Sequence, residues 1–346
     1  MKRLLASPSL LGAFLLIAGC GSGDASATLT ILAHESFTPS EGIFDEFTAD
    51  TGIEVVVIAA GDAGAMVTKA TLTSGNPEGD VMWGVDNTLL SRALETEVFT
   101  PYASPLLESI EPSLLDGVPN NEVTPVDTGD VCINYDIEWF ASKGIEPPTN
   151  LQDLADPQYE GLLVVQSPLE SSSGFAFLLA TIDEFGEEGW RAYWQSLRDN
   201  DVLVTSGWTE AYYTEFSGSS GNGPRPIVVS YGSSPPAEVL FADPPITVAP
   251  TAVAVDTCYR QVEYAGVLRG TKHQREAEQL IDFLVGESFQ NDLPLTQFVY
   301  PVNPNVNLPE VFTAHSARPT KVRSIPPAMI AANRMTWLDE WDSIFR

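Results

Sequence analysis

Histidine is scarce in this sequence: three in 346 residues, at positions 34, 273 and 315. They are widely separated. No Gly-x-Ser-x-Gly elbow, nucleotide-binding glycine loop, Cys-x-x-Cys pair or His-Glu-x-x-His segment accompanies them, so the usual sequence signs of hydrolases, nucleotide enzymes and zinc sites are missing. Positive charge is short as well, with 17 Lys and Arg against 47 Asp and Glu and a formal charge of −30. Without a basic stripe to neutralise phosphates, nucleic acid is excluded as a partner. The acidity is spread along the chain rather than blocked, which describes a solvated surface. Beyond the first twenty residues no apolar run approaches the length of a membrane span.

What stands at the N-terminus is Lys2 and Arg3, an apolar run from Leu10 to Ile17, and then Leu16-Ile17-Ala18-Gly19-Cys20. The run is too short to span a bilayer comfortably and ends in small residues. It resembles a bacterial lipoprotein signal, with residues 1–19 removed and Cys20 lipidated. Residues 20–27 would then be a small, polar tether. The mature chain is expected outside the cytoplasmic membrane, held by its lipid, with a charge of about −32 once Lys2 and Arg3 are gone. Of three cysteines, Cys132 and Cys258 remain. An even number in an oxidising compartment makes a disulfide the default expectation.

The chain exceeds the size at which a single core stops growing, so two lobes are expected. Three strand–helix units open it: Thr28–Leu32 then Gly42–Asp50, Ile53–Ala60 then Ala65–Ser74, and Asp80–Val85 then Asn87–Glu95. Such alternation predicts a parallel sheet with helices on its faces. The nearly continuous apolar run Ile53–Ala60 reads as a strand buried on both faces. Further strands are read at Thr128–Tyr135, Leu162–Val165, Val202–Val204, Ile227–Tyr231, Ile246–Val255 and Val262–Leu268. Helices are read at Phe175–Phe185, Glu187–Leu197, Arg275–Val285 and Ala328–Phe345.

Three loops share one design, in which an apolar strand gives way to small residues and then a helix start. They are Gly61-Asp62-Ala63-Gly64, Ser171-Ser172-Ser173-Gly174 and Gly232-Ser233-Ser234-Pro235. Serine and proline suit the first turn of a helix, and the free N–H groups there suit an anion. Each is also an ordinary strand-to-helix connection, and Asp62 is placed to cap its helix. Together they lie at the carboxyl ends of strands, where open sheets bind ligands. Between the second and third loops stands Gly207-Trp208-Thr209-Glu210. Trp208 either packs beneath the loop or stacks on a flat, electron-poor ring. Tyr212-Tyr213 could pair on a ferric ion, but adjacent helical side chains diverge by about 100°. Ser172 or Ser173 could serve a secreted hydrolase only with a base at hand, which the scarcity of histidine opposes.

The mature chain resembles the thiamine-binding substrate-binding proteins of bacterial ABC transporters. The likeness rests on Asp80-Val81-Met82-Trp83-Gly84-Val85-Asp86-Asn87-Thr88-Leu89-Leu90, Gly207-Trp208-Thr209-Glu210-Ala211-Tyr212 and Ser230-Tyr231-Gly232-Ser233-Ser234-Pro235. Phe289-Gln290-Asn291, Tyr300-Pro301-Val302 and Trp337-Leu338-Asp339-Glu340-Trp341 add to it. It implies an α/β fold of the two-lobed periplasmic-binding-protein type II kind, with two crossover strands as hinge. Lobe 1 would comprise residues 28–130 and 259–346, and lobe 2 residues 131–258. The implied activity is binding of thiamine, its monophosphate or its diphosphate by lobe closure, and delivery to a permease and its ATPase, by a monomer without catalytic residues, cofactor or metal. By motif, Asp62 and Ala63 would contact ligand from lobe 1. Ser172 and Ser173 would form a phosphate-side loop, Trp208 would stack, and Tyr231, Gly232, Ser233, Ser234 and Pro235 would form the remaining wall. His34 stands where a tyrosine is expected and Phe298 where a tryptophan is, which makes both weaker candidates and the aromatic clamp thinner. Ferric-ion receptors share this strand order and are the alternative. Cys132 and Cys258 would pair across the hinge.

Overall fold

Two long antiparallel strands, β5 (Thr124–Asp136) and β9 (Thr251–Leu268), run through the centre of a single ten-stranded sheet. The computed structural model describes residues 27–346. The signal, Cys20 and the tether up to residue 26 therefore lie outside the described residues.

On one side of this pair lie β3 (Val81–Asp86), β1 (Thr28–Ala33) and, at the edge, β2 (Glu54–Ala59). The strands β1, β2 and β3 are mutually parallel, as the repeated strand–helix pattern predicts, while β3 meets β9 antiparallel. On the other side lie β8 (Ile227–Tyr231), β6 (Leu163–Gln166) and β7 (Leu203–Thr205), again parallel among themselves. The short strands β4 (Phe99–Thr100) and β10 (Tyr300–Pro301) pair with β9 and β5. The result is the expected two-lobed α/β architecture, one parallel half-sheet per lobe with β5 and β9 passing between them.

Two expectations change. The strand β2 is not buried on both faces: it is the sheet edge, and Val56 and Ile58 remain exposed. A continuous apolar run reports β-propensity here, not burial. Residues 246–255 and 262–268 are not two strands; residues 251–268 form one strand of 18. The helices read at 175–185 and 187–197 are both present within Ser172–Asp199, separated as expected by a break at Gly186, whose φ of 67° and ψ of 173° are not helical.

Register places the hinge. On β5, Val131 pairs with Tyr259, yet Ile133 pairs with Ala254, so an irregular stretch of β9 bulges opposite Cys132. Cys258 lies in that bulge and is bonded to Cys132, with Cα atoms 4.2 Å apart. The C-terminal helix Pro327–Phe345 packs on the lobe 2 helix that follows Gly186, where Trp341 meets Trp194 at 5.5 Å and Glu340 pairs with Arg191. Lobe 1 has its own aromatic core, with Trp83 fully buried between Phe37 and Phe289.

Candidate ligand-binding site

Where the two half-sheets face one another they enclose a cavity of about 340 Å³. Lobe 1 supplies the loop after β1 (His34 to Thr38), the loop after β2 (Asp62, Ala63) and residues 296–299 before β10. Lobe 2 supplies Ser172 and Ser173, the segment from Trp208 to Tyr213, and Tyr231, Ser234 and Phe241; Glu263 enters from β9. The three strand-to-helix loops thus meet at one wall, and His34 and Phe298 join them. Gly232, Ser233 and Pro235 do not reach it. The Gly232 N–H donates to Asp130 O at 2.8 Å and its carbonyl accepts from Ala317 N at 2.7 Å, while Ser233 and Pro235 are buried behind the loop.

Asp62 does not cap its own helix. Its side chain makes no capping bond; instead Oδ2 accepts from the Trp208 N–H across the cleft at 3.2 Å. Close by, Gly64 of lobe 1 lies against the backbone of Glu170 in lobe 2, so near that a Cβ would stand 2.1 Å from its carbonyl oxygen. Ser36 and Thr209 also approach, their hydroxyls 3.4 Å apart. The lobes are in contact, and the cleft is closed.

The wall is acidic. Burial raises the Asp62 carboxyl above its ordinary range, although the Trp208 N–H and His34 pull it back. His34 sits 3.6 Å from Glu263, Nε2 to Oε2. Burial disfavours its charged form, but Glu263, Asp62 and Asp86 outweigh that, and its pKa rises. The ring is seated against Gly84, whose φ of +95° and missing Cβ leave it room. Deeper, Asp127 faces Glu263 across β5 and β9. Both Asp127 oxygens are buried without a donor. Burial first, then Glu263 and Asp86, hold its pKa well up. Burial likewise raises Asp86 to about 6, against bonds from Gln261, Thr88 and Leu89.

The hydroxyls of the serine loops are largely engaged within the protein. Ser173 Oγ meets Gln166 Oε1 at 3.2 Å and Ser171 Oγ at 3.1 Å. Ser234 Oγ meets Ser230 Oγ at 2.8 Å, and Ser230 accepts from Trp208 Nε1 at 3.0 Å. Trp208 is half-buried, stacked on Tyr212 with centroids 4.9 Å apart and planes 14° from parallel, so one face is taken and its rim borders the cavity. The Tyr212 hydroxyl donates to Glu238 at 3.0 Å. The turn holding it is a π-helical one, Ala211–Glu215, a distortion that often accompanies function. Tyr213 points across Tyr212 at 85° and is half exposed, in line with the divergence of adjacent helical side chains.

Sequence inspection missed Gln261, Glu263 and Phe241. Gln261 and Glu263 share one face of β9 by the two-residue period, opposite Gly129 and Asp127. Two polar residues alternating within a central strand were the available signal. Phe241 follows the helix Pro235–Leu240, is 69% exposed, and meets Phe298 edge-on at 5.8 Å across the mouth.

Residues 77–321 match the family described as bacterial extracellular solute-binding protein. The thiamine-binding periplasmic protein of Escherichia coli K12 is 30% identical over 321 residues, covering 92% of this chain and 93% of that protein. A solved structure of a periplasmic thiamin binding protein superposes with a TM-score of 0.81 at 27% identity, covering 93% of this chain and 97% of that one. The ferric binding protein from Campylobacter jejuni shares the fold, with a TM-score of 0.71 at 18% identity, covering 91% of this chain and 99% of that one.

Proposed function

The chain belongs to the bacterial extracellular solute-binding proteins, and on that premise we propose that its cavity takes thiamine or a thiamine phosphate, closes over it by lobe movement, and presents it to the permease and ATPase of an ABC importer. The observation that carries this is the chemistry of the wall. Asp62, Glu263 and Glu35 line it together with Trp208, Tyr231 and four further aromatic rings, and no Lys or Arg stands among its lining residues. A flat heterocyclic cation is what such a wall favours, since aromatic faces and carboxylates both attract it. Thiamine, a thiazolium joined to an aminopyrimidine, has that character, and the similar proteins of matching length carry its name.

In this reading Trp208 and Tyr231 border the ligand rings and Asp62 and Glu263 balance the positive charge. Ser172 and Ser173, at the start of a long helix, offer donors to a hydroxyl or phosphate. A ferric site would draw on Tyr212, Tyr213 and His34, but the Tyr212 hydroxyl is committed to Glu238 and buried. A hydrolase would need a base beside Ser172 or Ser173, whose partners are the amides of Gln261 and Gln166 and the hydroxyl of Ser171. Binding without chemistry, by a monomer tethered through lipid on Cys20 outside the cytoplasmic membrane, completes the proposal. The lipobox ending at Cys20 supports the tether.

Isothermal titration with thiamine, its mono- and diphosphate, and ferric citrate tests the ligand class. Heat of 1:1 binding is expected with at least one thiamine form and none with ferric citrate; the reverse pattern refutes the proposal. Mass spectrometry of the mature N-terminus tests the tether, with an unmodified Cys20 as the contrary result.

A further inference from the structure

Beneath the cavity, one buried amide connects both lobes. Gln261, 1% exposed on β9, bonds through Nε2 to Asp86 Oδ2 and to Ser172 Oγ at 3.0 Å, and through Oε1 to Tyr231 Oη at 2.8 Å. Asp86 lies in lobe 1, while Ser172 and Tyr231 are wall residues of lobe 2.

The orientation of this amide follows from Asp86. The Oδ1 of Asp86 already accepts from Thr88 Oγ1 at 2.7 Å and from the N–H groups of Thr88 and Leu89 at 3.1 Å each. Those three donors favour the ionised carboxylate, the form present above about pH 6, and its free Oδ2 can then only accept, so the Gln261 group facing Oδ2 is the NH₂. The carbonyl end is then turned to Tyr231, which has to donate its hydroxyl hydrogen. Ser172 receives the second N–H and accepts. The consequences on the ligand side are opposite for the two hydroxyls. The Tyr231 oxygen, its hydrogen spent on Gln261, can only accept from a ligand. Ser172, already accepting, keeps its hydrogen to donate.

We propose that Gln261, oriented by Asp86, sets this polarity and so makes the site selective for a ring bearing an amino rather than an oxo group at Tyr231. Gln261 does not line the cavity; it is a positioning residue acting through Tyr231 and Ser172. The inference rests on the thiamine reading above, and the aminopyrimidine of thiamine supplies the required donor. Oxythiamine, in which an oxo group replaces that amino group, presents an acceptor to an acceptor. A site built around a buried hydrogen bond rejects such a mismatch by about tenfold or more.

The test is calorimetric titration of thiamine and oxythiamine into the wild type and Gln261→Met, with circular dichroism to confirm folding. The inference expects at least about tenfold preference for thiamine in the wild type, shrinking to within about threefold in Gln261→Met. Should that variant not fold, Asp86→Asn is read in the same way, because the loss of the carboxylate frees the Gln261 amide to turn over. Equal binding of the two compounds by the wild type overturns the polarity assignment and leaves the thiamine reading standing. So does a preference that persists undiminished in the folded variant. Absence of binding by any thiamine form overturns both.

Discussion

At the scale of single residues the site is governed by buried acids and one indole. Trp208 borders the cavity with one face against Tyr212 and with Tyr213 and Tyr231 packed edge-on beside it. Replacing it by alanine removes the stacking area and any attraction of the ring for a cation. Thiamine affinity should fall by about tenfold or more, and unchanged affinity by titration would refute its role. Asp127 gives a prediction about stability. Its raised pKa means that, between the ordinary carboxyl value and its own, the native state holds a proton that the unfolded chain releases. That contribution is complete in acid and is lost as pH rises through the native value. Asp86, raised to about 6, and the raised Asp62 and His34 act with the same sign. Denaturant midpoints should therefore rise from about pH 7.5 to about pH 5.5. Asp127→Asn, with no proton to lose, should be more stable than wild type at the higher pH and less dependent on it. A steeper slope in the variant would contradict the assignment.

Among the elements, the loops that follow parallel strands were the most legible part of the sequence. Apolar runs ending in Gly61 to Gly64, Ser171 to Gly174 and Gly232 to Pro235 carry their own turn chemistry. Which side chains those loops present was less so. Asp62 reads as a helix cap and instead reaches the Trp208 N–H, because the opposing lobe offers a donor that no local pattern announces. Gln261 and Glu263 were hidden for a related reason. The facing of β9 depends on the irregular register opposite Cys132, a long-range pairing. The contact of Gly64 with Glu170 yields a prediction at this scale. Gly64→Ala should leave the unliganded protein folded, since alanine is the better helix former by roughly 1 kcal/mol. It should nonetheless oppose closure, because a Cβ would stand 2.1 Å from a backbone oxygen of the other lobe. Thiamine affinity should drop at least about tenfold with little change in melting temperature, a split readable by titration and calorimetry. Wild-type affinity would show that the lobes need not meet there.

For the whole molecule, what matters is that β5 and β9 are shared by both lobes and joined by Cys132–Cys258, 126 residues apart in sequence. A cross-link of that span removes on the order of 4–5 kcal/mol of loop entropy in the chain-entropy model, with measured gains often smaller. The double variant Cys132→Ala, Cys258→Ala should unfold at lower denaturant, and an unchanged midpoint would count against the bond as a stabiliser. The lobes close on a cavity that is acidic and aromatic, and the central claim is that this cavity holds thiamine. A crystal structure of the protein grown with thiamine tests it most directly. The account predicts the ligand between the lobes, a ring against Trp208 and the thiazolium within about 5 Å of the Asp62 or Glu263 carboxylate. An empty cavity, or thiamine bound elsewhere on the surface, would contradict it.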